Sequence, residues 1–375
     1  MLEGAKSLTD LIHQFFNSRQ PSNKQESISA MPTIFPNEAN IDNKTILLTG
    51  GTGSFGKMFI HYVLNKHNPK KVIIYSRDED KQYHVNNHIR ENYKASIHSK
   101  VRFFLGDVRD VKRLTMASQN VDILIHAAAV KHVSAAEYNP MECVKTNIHG
   151  AENVVEAALA NNIPDIIALS TDKAVNPINL YGATKLAADK IFVAANHLTG
   201  GSNIRFANVR YGNVLGSRGS VVPYFNSLIG DGSDTLPITN TEMTRFWITI
   251  DQGISFVLSC LSIMRGGETF VPKIPSMKIT DVARVMAPKL KQKIIGIRPG
   301  EKLHEVMISS DDAGNTFDLG DRFVIRPSIQ FYDDRYDYLK DCQPVAENFS
   351  YSSDNNTEWL SDGALKAMLS EQLPK

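Results

Sequence analysis

Between Thr45 and Lys66 an apolar run stops on a cluster of glycines and resumes with a different period. Thr45-Ile46-Leu47-Leu48-Thr49 reads as a short buried strand, and Gly50-Gly51-Thr52-Gly53-Ser54-Phe55-Gly56 follows without a gap. From Lys57 to Lys66, Met58, Phe59, Tyr62 and Val63 recur at helical spacing. Few folds accept such a strand, turn and helix in succession. Glycines at 50, 53 and 56 suit a tight turn, a close approach of backbone to pyrophosphate, and close packing of helix on strand. The helix N-terminus then presents free N–H groups to phosphate. The motif points to a dinucleotide site, with Gly50, Thr52, Gly53, Ser54, Phe55 and Gly56 as its contacts.

The alternation continues. Strands are expected at 71–75, 101–105, 121–125, 165–169 and 204–210 with helices between them, which predicts a right-handed, doubly wound parallel sheet. Ligands of such a sheet bind beyond the carboxyl ends of the strands. Ser76-Arg77-Asp78 stands where an NAD fingerprint carries an acidic residue for the ribose. Ser76 and Arg77 instead suit a 2′-phosphate, so NADP is favoured, while Asp78 leaves NAD open. Asp107, followed by Val108, is placed to accept from an adenine amino group, and Ala127, Ala128 and Ala129 leave room for a dinucleotide across the strand ends.

The fifth strand runs into Ser170-Thr171-Asp172-Lys173-Ala174, breaks at Pro177, and enters a helix carrying Tyr181 and Lys185. Residues four apart share a helix face, and an ammonium beside a phenol favours phenolate, a usable base. Asn213 and Arg218 sit in a glycine-rich loop after the sixth strand. Further on, Arg298 and Glu301 are candidates for a diphosphate and a ribose hydroxyl. Four regions follow from this pass: an extension and linker at 1–41 with a short amphipathic helix, a dinucleotide domain at 42–211, a smaller lobe mainly at 212–330 interleaved with late sheet elements, and a tail at 331–375.

Bulk composition removes several alternatives. Lys and Arg total 41 against 40 Asp and Glu, so no global field recruits nucleic acid or an anionic membrane. Cys143, Cys260 and Cys342 lack metal-ligand spacing and suit a reducing compartment. No apolar run approaches the roughly 20 residues that span a bilayer, and no signal-peptide pattern opens the chain, so cytoplasm is expected.

Thr49 to Gly56, Ser170-Thr171, and Tyr181 with Lys185 resemble the extended short-chain dehydrogenase/reductase superfamily. Within it, Ser170-Thr171-Asp172-Lys173-Ala174, Lys131-His132-Val133, Arg298-Pro299-Gly300-Glu301-Lys302 and Tyr351-Ser352-Ser353-Asp354 resemble the soluble UDP-N-acetylglucosamine 4,6-dehydratases that invert C5. The resemblance covers about residues 42 to 370. It implies an α/β, Rossmann-like sheet with a smaller α/β substrate-binding lobe, NADP as cofactor, UDP-N-acetylglucosamine as substrate, and a homo-oligomer, dimer or hexamer. Tyr181, its pKa lowered by Lys185 and the cofactor ring, would take the sugar 4-hydroxyl proton, and Thr171 would bind that oxygen. A neutral Lys173 would abstract the C5 proton, and a protonated Asp172 would donate to the departing C6 hydroxyl. Lys131, Asn213, Arg218, Arg298 and Glu301 would hold the substrate.

Two departures stand out: the first forty residues lack a counterpart in the short members, and larger relatives carry membrane helices with methionine in place of the tyrosine. Competing readings are a UDP-sugar 4-epimerase, which needs no Asp172-Lys173 pair, a C5-retaining dehydratase, and a regulatory protein that senses NADP without turnover.

Overall fold

Six parallel strands form within two residues of the positions expected: β1 (Thr45–Thr49), β2 (Lys71–Ser76), β3 (Val101–Leu105), β4 (Ile123–His126), β5 (Asp165–Thr171) and β6 (Arg205–Tyr211). The structure is a computed structural model that describes residues 35–329 and 333–370. The amphipathic helix expected near the N-terminus lies outside the described residues. In space the strands run β3-β2-β1-β4-β5-β6. The sheet continues through parallel β7 (Thr269–Pro272) into an antiparallel edge, in the order β9 (Arg322–Ile325), β8 (Thr316–Asp318) and β10 (Gln343–Pro344).

Every residue of β1 is buried because helices cover both faces of the sheet. Ile46 and Leu48 pack in one core with Met58, Phe59 and Val63 of α1 (Ser54–Lys66), while Leu47 joins the opposite core with Val154 and Phe192. The strand order reverses between β1 and β4, which opens a crevice at their carboxyl ends.

Gly50 makes this crevice possible. Its φ is +67°, and a Cβ there would meet the Ala128 amide nitrogen at 2.8 Å. A Cβ on Gly56 would drive into the Gly51 carbonyl, so this glycine sets the close seat of α1 on the turn.

Three elements differ from expectation. The helix expected at 151–160 begins earlier, running from Pro140 through a π-turn at Lys145–His149 into Gly150–Ala160. Residues at the end of the expected linker are docked: Phe35 and Ile41 are buried, and Phe35 stacks on Phe256 with centroids 4.6 Å apart. The described part of the C-terminal tail is structural: Gln343–Pro344 edges the main sheet, and the end of the tail packs in a separate core. Its helix Asp362–Ser370 places Leu365 and Met368 in a core with Trp247, Met277 and Val282. Apolar residues three apart explain the docking, since they form one stripe that needs a partner.

Candidate active site

The carboxyl ends of β1, β4, β5 and β6 carry most of the expected site residues. Thr49 at the end of β1 binds His126 Nδ1 through its hydroxyl at 2.8 Å and accepts from the amides of Ala127 and Ala128 at 3.2 and 3.4 Å. The alanine wall is thereby fixed against the glycine turn. Gly53 caps α1 without a side chain, Thr52 is buried, and Phe55 stacks on Phe59. Backbone N–H groups at the start of a 13-residue helix, bordered by a turn with no room for a Cβ, fit a pyrophosphate.

At the end of β2 the two readings of Ser76-Arg77-Asp78 separate. Asp78 is the N-cap of the next helix, accepting from the Lys81 amide at 2.9 Å and pairing with the Lys81 ammonium. That carboxylate is engaged in local structure. Arg77 is exposed, with a guanidinium nitrogen 3.7 Å from Asp107. Asp107 in turn accepts from the Arg109 amide at 3.0 Å and guanidinium at 2.7 Å. Burial works against its charge, but these bonds prevail and hold it below the usual carboxylate range. Val108 is buried, and its carbonyl accepts from Asn153.

The reactive constellation grows from β5. The strand ends at Thr171, whose hydroxyl caps a short turn over Asp172–Ala174, and Asn179 then caps the helix Leu180–Ala195 by accepting from Gly182. This return brings Tyr181 back over Thr171. Asp172 is fully buried: Thr171 Oγ1 donates to its Oδ1 at 3.0 Å, Lys173 Nζ donates to the same atom at 2.9 Å, and Oδ2 has no partner. Burial raises the Asp172 pKa, against the pull of Lys173. An unpartnered, buried carboxyl oxygen with a raised pKa is suited to carry a proton toward a bound group.

Two electrostatic expectations need correction. Burial by itself would depress Lys173, but Asp172 and Glu305 outweigh it, so its ammonium is held above the ordinary value instead of being neutral. Glu305 Oε1 lies 3.3 Å from Lys173 Nζ, and Asn213 Oδ1 accepts from the same nitrogen at 3.4 Å. Tyr181 is likewise not lowered. Burial pushes its phenol up to about 12, with Lys173 and then Thr171 opposing. Lys185 donates to the Leu169 carbonyl at 2.8 Å, and burial lowers it despite Asp189. The cation acting on the phenol is therefore Lys173, presented by the strand-end turn, while Lys185 is engaged with the Leu169 carbonyl.

The remaining predicted residues ring this centre. The Arg218 amide donates to Ser54 Oγ at 3.4 Å, which ties the 213–219 loop to the glycine turn. Burial, then Arg218 and Lys173, lowers the Lys131 pKa, so the three form one cationic patch. Arg298 is exposed with Nη1 3.8 Å from Glu301 Oε1, and Glu301 Oε2 is buried without a partner. Asn179 Nδ2 donates to the Gly300 carbonyl at 2.8 Å and Lys302 Nζ to the Val175 carbonyl at 2.5 Å, which pins the 298–302 loop beside the catalytic turn.

Three contributors carry no individual role in the sequence reading. Glu305 lies four residues beyond Glu301, in a stretch from which only Arg298 and Glu301 are candidates. Ser353 braces it from the C-terminal segment, and Asn147, in the π-turn, holds both the Val130 backbone and the Thr184 hydroxyl.

Comparison with known proteins agrees with this geometry. An inverting UDP-N-acetylglucosamine 4,6-dehydratase from Campylobacter jejuni (serotype O:23/36, strain 81-176) is 56% identical over 329 residues, covering 86% of this chain and 96% of that protein. A UDP-glucose 4-epimerase from Rickettsia canadensis is 38% identical over 291 residues, covering 76% of this chain and 83% of the relative. Among solved structures, Pen from Bacillus thuringiensis superimposes with a TM-score of 0.78 at 34% identity, covering 89% of this chain and 99% of that one. The family described as polysaccharide biosynthesis protein matches residues 46–327, and the chain belongs to that family.

Proposed function

We propose that the protein is a C5-inverting UDP-N-acetylglucosamine 4,6-dehydratase, a hydro-lyase that serves nucleotide-sugar and surface-polysaccharide synthesis. The observation that carries this reading is the pair of a buried Asp172 and a half-buried Lys173, 2.9 Å apart with Asp172 Oδ2 unpartnered, next to Tyr181 and Thr171. An epimerase has to move hydride at C4 alone. An acid and a base beside each other serve an elimination across C5–C6.

In this reading the glycine turn at 50–56, Tyr181 and Lys185 would hold a nicotinamide dinucleotide, which when bound would supply the hydride chemistry at C4 and C6. The chain's own residues move the protons. Tyr181, having first given its own phenolic proton to solvent with Lys173 and the bound cofactor's positive ring favouring the phenolate, takes the 4-hydroxyl proton while Thr171 orients that oxygen, and the resulting ketone acidifies C5–H. The charged state of Lys173 does not prevent it from acting as base. A proton moved from Nζ to the Asp172 carboxylate along their hydrogen bond gives a neutral amine and a carboxylic acid, with no proton taken from solvent. The amine then removes the C5 proton, and the acid delivers its own to the C6 hydroxyl, which leaves as water. After elimination the pair again holds one proton as ammonium and carboxylate, and protonation of C5 from the opposite face, by a solvent-exchangeable proton that balances the one released from the 4-hydroxyl, completes the inversion.

Gly50, Thr52, Gly53, Ser54, Phe55, Gly56, Asp107, Val108, Ala127, Ala128, Ala129, Tyr181 and Lys185 are assigned to the dinucleotide. Ser76 and Arg77 face its 2′-phosphate. NADP is preferred because Arg77 is unburied at the β2 end and Asp78 is occupied as a cap. Lys131, Asn213, Arg218, Arg298 and Glu301 are assigned to the sugar nucleotide, with the buried bare oxygen of Glu301 suited to a ribose hydroxyl. The cofactor is assigned to residues 42–211 and the substrate mainly to 212–330.

A homo-oligomer in a reducing cytoplasm completes the proposal. Exposed Tyr138 and Met141 offer apolar surface to a second copy, and Cys143, Cys260 and Cys342 are free thiols. Among the described residues no helix is long and apolar enough to cross a membrane. NMR of the products formed from UDP-N-acetylglucosamine tests the reading. Loss of the C6 hydroxyl supports dehydration, inversion at C4 alone supports the epimerase alternative, and an unchanged substrate removes both.

A further inference from the structure

The mechanism above makes no use of Glu305, yet its carboxylate touches the proposed base. The residue is 2% exposed at the entry to the strand Val306–Ile308. Oε1 stands 3.3 Å from Lys173 Nζ and 3.6 Å from Arg245 Nε, while Oε2 has no hydrogen-bond partner. Its backbone is held on both sides by one residue of the C-terminal segment: the Glu305 amide donates to Ser353 Oγ at 3.0 Å and the Ser353 amide to the Glu305 carbonyl at 2.8 Å. Ser353 Oγ is itself 2.6 Å from Thr244 Oγ1. Arg245 is immobilised in turn, donating to the carbonyls of Thr244, Leu303 and Lys302.

Lys173 thus faces two buried carboxylates, although Asp172 alone would suffice to pair it. A second buried anion carries its own desolvation cost and is retained where its charge has a use.

We propose that Glu305 is a positioning residue for the dehydration step: it holds Lys173 Nζ against Asp172 and, as a fixed negative charge, keeps one proton on that pair throughout the working pH range. The proposal rests on the dehydratase reading. Charged and titratable groups facing the pair are Glu305 and Lys302 from the 298–305 loop, Arg245 from the strand Thr244–Ile248, Tyr181 from its helix, and Lys131 with Arg218 from the cationic patch. Arg245 and Lys302 oppose Glu305 in sign, but both direct hydrogen bonds at backbone carbonyls. Without Glu305 the pair gives up its proton at lower pH. Asp172 is then a bare carboxylate, and the C6 hydroxyl has no proton to leave with.

The test compares wild type, Glu305→Gln and Glu305→Asp, each supplied with NADP and UDP-N-acetylglucosamine from about pH 6 to about pH 10, reading formation of the C6 methyl group. The Gln variant is expected to lose C6 methyl formation on the alkaline side at least about one pH unit earlier than wild type, with KM within about threefold. The Asp variant, which keeps the charge, is expected to restore the alkaline limb. Coincident profiles for wild type and Gln, or equal displacement of Gln and Asp, overturn the proposal. A readout independent of turnover is the 15N titration of the Lys173 ammonium in wild type, assigned with Lys173→Arg. Deprotonation beginning below about pH 9 there also overturns it, whether or not the Gln variant folds. A wild-type enzyme that leaves UDP-N-acetylglucosamine unchanged refutes the dehydratase reading, and the titration still decides the role of Glu305.

Discussion

Replacing Lys173 by alanine separates chemistry from stability, and both effects can be sized from the structure. The change leaves Asp172 fully buried with the Thr171 hydroxyl as its remaining partner, while Glu305 keeps Arg245. Such a carboxyl takes up a proton instead of staying charged. The cost grows by about 1.4 kcal/mol for each pH unit above the unfolded pKa of about 3.9, reaching a ceiling of about 4 kcal/mol at pH 7 and about 1.5 kcal/mol at pH 5. The sign follows from a folded pKa raised above the unfolded one: the deficit appears as pH rises and vanishes below about pH 4. With an unfolding entropy of about 2 cal/mol/K per residue, a loss of 3 to 4 kcal/mol lowers Tm by about 4 to 5 °C at pH 7, against about 2 °C at pH 5. Catalytically, the variant is expected still to reduce its cofactor, more slowly than wild type because Tyr181 loses the cation that opposes its burial, while product formation falls by about 10²- to 10⁴-fold. Thermal scans at the two pH values and single-turnover cofactor absorbance beside product NMR measure both arms. Full product formation refutes the assignment of Lys173 as base, and equal destabilisation at pH 5 and pH 7 refutes the electrostatic account of the pair.

Other substitutions probe the remaining parts. Asp172→Asn removes the proton donor and is expected to slow product formation by about 10²- to 10⁴-fold while reduced cofactor accumulates, read from its near-ultraviolet absorbance. Arg77→Ala is expected to weaken NADP by about 10- to 100-fold and leave NAD unchanged in equilibrium titrations, the loss appropriate to a charge-assisted phosphate contact. Gly56→Ala forces a methyl group into the Gly51 carbonyl; a loss of about 1–3 kcal/mol in denaturant unfolding, with weakened dinucleotide binding, is expected.

The parts of this protein that were legible in its sequence are those written locally. The glycine turn, β1 to β6, and the run from Ser170 to Lys185 each carry their signal within some fifteen residues, as a change of period or a cap. The unread parts depend on contacts across the chain. Glu305 meets Lys173 from over a hundred residues away, and Ser353 arrives from further still, so a count of charges near the catalytic turn was not available from spacing. For that reason Lys173 was expected to be neutral and Tyr181 to be lowered. Asp78 shows a different limit of spacing: an acidic residue at a strand end also begins the next helix, and its capping bond is visible only in the fold.

The direct test of the central claim is NMR of the sugar ring after incubation of the wild-type protein with UDP-N-acetylglucosamine and NADP in D2O. The account predicts a C6 methyl group, a C4 ketone and deuterium at C5 in the inverted configuration. A product altered only at C4, with the C6 hydroxyl and the C5 proton intact, contradicts it.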